Sequence, residues 1–87
     1  VRTLLIALRA LLREQGETNW IRGVTAAIQE LEDPDGWERA RSIYSTMNQG
    51  NGSFSDYHVW KDNSDERIRT NAQLDELRQR LWSAFDL

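Results

Sequence analysis

Within Asn48–Trp60, NQGNGSFSDYHVW, stand Ser53, Ser55, Asp56 and His58: hydroxyls, a carboxylate and the only histidine of the chain. These are the types that build a nucleophile–base–carboxylate relay, which needs the imidazole within reach of the hydroxyl and the carboxylate behind it. Side chains so close together on an extended segment point to alternating faces. They reach one reacting atom only if another element supplies a partner. Gly50-Asn51-Gly52 invites a phosphate-cradle reading, but neither the lysine nor the following helix of a P-loop is there. A structural role explains the stretch more economically. The glycines supply positive φ to leave a helix, Ser53 or Asp56 bonds back to free turn amides, and Phe54 anchors the loop on the core. With one histidine and no cysteine, no metal or other cofactor is expected, and the chain is read as non-enzymatic.

The elements that position this stretch are helical. Val1, Leu4, Leu5, Leu8, Leu11 and Leu12 share one stripe at 100° per residue, predicting a helix over about 2–14 that Gly16 stops. Thr18 or Asn19 suits the cap of a second helix, 19–32, with Trp20, Val24, Ala27 and Leu31 inward. Asp33 and Pro34 read as cap and first position of a third helix, 34–47, carrying Trp37, Ala40, Ile43, Tyr44 and Met47. A loop follows over 48–56, and Tyr57-His58-Val59-Trp60 alternates as a short extended segment. Leu74, Leu77, Leu81, Ala84 and Phe85 predict a last helix over about 70–85, with Thr70–Gln73 as its capping box and Ser64-Asp65-Glu66 as an alternative start. Ile68 falls off that stripe. The expected fold is mostly α: one four-helix domain over 1–87, with one extended segment between helices 3 and 4.

At 87 residues the core is adequate but not generous. The formal charge of −3, with ten arginines and one lysine, argues against a nucleic-acid footprint. No apolar run is long enough to span a bilayer, and the arginine-bearing first twelve residues suit a packed helix better than a transit peptide. A cytoplasmic location is the default expectation. Whether residues precede Val1 stays open.

Gly50-Asn-Gly-Ser-Phe-Ser-Asp56, followed by an apolar stretch and a leucine-rich terminal helix, resembles the G-x-G-S-[FL]-x-D signature of small uncharacterised bacterial proteins grouped as a domain of unknown function. The resemblance runs from the Trp20 helix to the last helix and implies a bacterial source and a compact helical module. Proteins of this size often lie beside toxin genes, and that association suggests an immunity-protein-like role.

The acidic corner supports that direction. Glu30, Glu32, Asp33, Asp35 and Glu38 place five carboxylates in nine residues with no base among them. Asp33, Asp35 and Glu38 suit the start of a helix, whereas Glu30 and Glu32 close the preceding one, where the dipole disfavours them. Such a patch steers a basic partner. Tyr57, Trp60 and Trp82 are the candidate aromatic anchors. Arg2, Arg9 and Arg13 form a weaker basic stripe on the first helix. The expected partner is another protein, a cognate toxin with a basic surface. Neither membrane nor nucleic acid is expected, and a homo-oligomer is left open. Two other readings remain: a small enzyme or ligand-binding domain centred on Gly50–Asp56, and a structural or oligomerisation domain.

Overall fold

The leucine stripe of the first twelve residues builds α1 (Arg2–Glu14), burying Leu5, Leu8, Leu11 and Leu12. In the computed structural model, which describes residues 1–87, three further helices follow: α2 (Trp20–Glu30), α3 (Trp37–Met47) and α4 (Ser64–Ala84). A 3₁₀ turn, Phe54–Asp56, lies between α3 and α4, and there is no strand. The fold is the expected mostly-α four-helix domain with a short connecting segment. α2 packs against both α1 and α3, and α1 against α4. Their shared core holds Val24, Ala27, Ala40, Tyr44, Leu74, Leu81 and Phe85 beside the α1 leucines.

Helix ends differ from the sequence reading, for identifiable reasons. Asn19 stands at the N-cap of α2, but its side chain accepts no bond from the helix. The Glu17 carboxylate instead accepts from the amides of Asn19, Trp20 and Ile21, each at 2.9 Å. One ionised group thus serves three orphan donors at the positive end of the helix dipole. Between α2 and α3, Asp33–Gly36 forms a turn rather than a helix start. The Asp33 carboxylate accepts from the Asp35 amide at 2.9 Å, and the Gly36 amide bonds the Asp33 carbonyl at 2.9 Å. A Cβ on Gly36 would stand 1.6 Å from the Glu30 carbonyl oxygen, so the chain passes there only as glycine. α3 accordingly starts at Trp37 rather than 34, and α2 stops at Glu30 rather than 32.

α4 starts six residues before position 70. Asn63 caps it, its side chain accepting from the Glu66 amide at 2.9 Å, and Thr70 lies inside the helix. Its inward stripe reads Arg67, Asn71, Leu74, Arg78, Leu81, Phe85, spaced 4-3-4-3-4 as a buried helix face requires. Three of these six positions are polar, which hides the stripe from an apolar search. Ile68, which belongs to a different face, is 66% exposed. At the other end of α4, Arg41 donates to the carbonyls of Phe85 and Asp86 at 2.6 and 2.9 Å, satisfying acceptors that a helix terminus leaves free.

Candidate functional site

The polar face of α4 faces the connection it must hold. Arg78, with only 10% of its side chain exposed, donates to the carbonyls of Phe54 and Tyr57 at 2.6 and 2.8 Å and pairs with Asp75 at 2.5 Å. One turn and three residues earlier, the Asn71 amide pairs with Val59 as a neighbouring strand would. Its Oδ1 accepts from the Val59 amide at 2.8 Å and its Nδ2 donates to the Val59 carbonyl at 3.0 Å. Arg67 donates to the Lys61 carbonyl at 3.1 Å. Residues 54–61, the 3₁₀ turn and the extended segment that follows it, therefore form a strap whose backbone is held by side chains instead of a second strand.

Beneath the strap, Phe54 is fully buried, packed against Trp20 at 5.8 Å and Tyr57 at 6.2 Å between ring centroids. Burying such a side chain contributes roughly 1.5–3 kcal/mol. Gly50 and Gly52 have φ of 81° and 75°, the left-handed conformation that lets the chain leave α3. The groups that raised the question of catalysis are engaged locally. The Asp56 carboxylate accepts from the Gly52 amide at 2.8 Å, and the Ser55 hydroxyl donates to Asn48. His58 Nδ1 lies 3.0 Å from the Asp56 carbonyl, a contact made by the Nδ1–H tautomer. The Ser53 hydroxyl is buried without a partner. No three His, Cys, Asp or Glu side chains gather as a metal site would need.

Two tyrosines report the environment under the strap. Burial pushes the Tyr44 phenol up to about 12, against a lowering by the positive charge of Arg78 and a hydrogen bond with Asn48. The Tyr57 phenol is also raised, mainly by burial and then by the Glu17 carboxylate, again opposed by Arg78.

Along 57–60 the side chains alternate, Val59 buried and Tyr57 half-buried, with His58 and Trp60 outward. Of the three candidate anchors, Tyr57 thus belongs largely to the packing under the strap. Trp60 is 75% exposed, one face covered by the Arg67 guanidinium at 4.5 Å, and Trp82 is 43% exposed. Fifteen residues of α4 separate Arg67 from Trp82, about 22 Å at 1.5 Å per residue, so the two tryptophans mark separate places. Trp82 walls a groove of about 420 Å³ lined also by Asn48, Ser55, Arg78, Gln79 and Ser83. Of the loop's Ser53, Ser55, Asp56 and His58, only Ser55 reaches that groove.

The acidic corner is less uniform than its composition. Arg39, one residue past it, pairs with Glu30 and, at 3.1 Å, with Asp33. Its own pKa is raised, first by the hydrogen bond and charge of Glu30. Glu32, Asp35 and Glu38 stay exposed with unpaired carboxylates. Sequence reasoning singled out neither Arg39 nor the α4 residues Arg67, Asn71 and Arg78. The 4-3-4-3-4 spacing was the available signal for the α4 set.

No helix is long and apolar enough to cross a membrane. No family model, curated protein or solved structure matches the chain.

Proposed function

We propose that this domain is a protein-binding module, read most specifically as a bacterial immunity protein or antitoxin that engages a toxin domain in the cytoplasm. The observation that carries the binding reading is the exposure of Trp60 at 75%, Ile68 at 66% and Trp82 at 43% on and beside α4. The two tryptophans, as large exposed aromatics, have the chemistry of interface hot spots, and neither they nor Ile68 belong to the buried core. The unpaired Glu32, Asp35 and Glu38 at the far end of α2 and start of α3 supply a negative field that speeds encounter with a basic surface. The toxin assignment rests on that charge, on the size of the chain and on the resemblance of its Gly50–Asp56 loop.

Co-expression with the product of the adjacent gene tests it. A complex is expected, weakened about tenfold or more by Trp60→Ala or Trp82→Ala, since hot-spot truncations cost at least about 2 kcal/mol. Charge reversal at Glu32, Asp35 and Glu38 is expected to slow association and flatten its salt dependence. A complex indifferent to all five changes would sink the reading.

A further inference from the structure

The strap is satisfied along one edge only. In an extended chain the N–H and C=O of one residue point to the same edge, and those of its two neighbours point to the other. Both groups of Val59 are held by the Asn71 side chain, at 2.8 and 3.0 Å, which fixes that edge as the one toward α4. The N–H and C=O of His58 and of Trp60 therefore lie along the opposite edge. None of these four groups makes a hydrogen bond within the molecule, and both residues are exposed. Sheet edges that stay single are ordinarily blunted by proline, lysine or other charges. Tyr57–Trp60 contains no proline, lysine or carboxylate, and the chain's one lysine, Lys61, stands just past its end.

We propose that this edge pairs with the same edge of a second copy, forming a two-stranded antiparallel ribbon about a two-fold axis at Val59. In that register His58 lies opposite Trp60 of the second copy, and the two residues exchange both N–H···O bonds. The axis repeats the exchange, so all four free groups of each strap find a partner. Val59, at the axis, keeps its bonds to Asn71. His58 and Trp60 point outward from the same face, which sets the imidazole of one copy across from the indole of the other. A flexible segment from elsewhere fits less well. It loses its freedom on binding, whereas the second strap is already held in place by its own Arg67, Asn71 and Arg78. The paired edge is short, so the dimer is weak, with a dissociation constant on the order of 0.1–1 mM.

The inference needs no other protein and stands apart from the protein-binding reading. Sedimentation velocity between ~10 μM and ~1 mM is expected to show monomer passing to dimer. Over the same range hydrogen exchange at the His58 and Trp60 amides should slow severalfold, while the Val59 amide is protected throughout. His58→Pro deletes one edge donor from each copy, and the ψ of 131° at Tyr57 is one that a following proline allows. It should weaken the dimer about tenfold or more, whereas His58→Ala, which keeps the N–H, should weaken it less. Protection of the Val59 amide in His58→Pro shows that the strap is still in place, and if that protection is lost the wild-type exchange measurement decides alone. A chain that stays monomeric at ~1 mM, a dimer whose His58 and Trp60 amides exchange as fast as in the monomer, or an undiminished His58→Pro dimer would each overturn the inference. Amides protected only in a complex with another protein would give the edge to a foreign strand and overturn it too. The two readings fail separately, because His58→Pro leaves both Trp60 and Trp82 in place for another protein.

Discussion

Arg78 and Arg39 are chemically identical, and each pairs with carboxylates, yet they sit in opposite situations. Arg78 is nine-tenths buried and its main partners are two backbone carbonyls of the strap, whereas Arg39 is half exposed and holds only carboxylates. A hydrogen bond to a buried carbonyl has no substitute when lost, because water cannot easily reach the orphaned acceptor. An exposed ion pair is replaced by solvent on both sides. The strap is therefore a fixed part of the fold, while the acidic corner is a charge distribution displayed on it. Stability should follow Arg78, and recognition of a charged partner should follow the surroundings of Arg39.

The largest expected effect is the removal of Arg78. Arg78→Ala leaves the Phe54 and Tyr57 carbonyls without donors and takes away the cation over the Phe54 ring at 5.3 Å. A loss of about 2–5 kcal/mol is expected, at about 1–3 kcal/mol for each of the two carbonyls left without its donor. For a domain of this size that is a large share of the whole stability. Denaturant titration reads it as a lowered midpoint, and hydrogen exchange should show the Val59 amide losing protection as the strap loosens. A variant with the wild-type midpoint would mean that the strap does not depend on α4.

Next in size is the alkaline limit set by Tyr44. Its phenol is pushed up to about 12 by burial, above the ordinary 10 that it has in the unfolded chain. Between these values the unfolded chain releases a proton that the folded one keeps, so stability present below pH 10 is lost as pH rises toward 12. The full amount is on the order of 3 kcal/mol. Tyr57, raised in the same direction, adds to the slope. Tyr44→Phe should flatten the dependence, and because the Arg78 charge lowers the Tyr44 pKa, Arg78→Met should move the titration higher. An unchanged slope in Tyr44→Phe would assign the alkaline transition elsewhere.

The same contrast explains which parts of the molecule could be read in advance. α1 was legible because each of its buried positions is a leucine, and the outline of four helices followed from such stripes. The start of α4 was not, since Arg67, Asn71 and Arg78 occupy inward positions and look like a solvated face until their carbonyl partners are known. Those partners lie 6 to 24 residues away in sequence, in the strap. Local rules placed the α2 cap at Asn19 but not the group that satisfies its amides. Thr18 and Asn19 are the better cap residues by type, but the longer Glu17 reaches three amides at once. At the acidic corner the five carboxylates were plain to see, yet which of them remain unpaired depended on Arg39 turning back across the Asp33–Gly36 turn.

Arg39 itself carries the smallest expected effect on stability and the one most informative about function. Its side chain and those of its partners are largely open to water, so the attraction is screened and offset by the ordering of three flexible groups. Arg39→Ala should leave the thermal midpoint unchanged within error at both low and high salt. It also frees Glu30 and Asp33 to join Glu32, Asp35 and Glu38 as unpaired charge. If the corner steers a basic partner, the variant should associate faster than the wild type at low ionic strength, with the gain disappearing as salt rises. Slower association would instead place Arg39 in the contact itself, making the pair with Glu30 a recognition element rather than a local neutraliser.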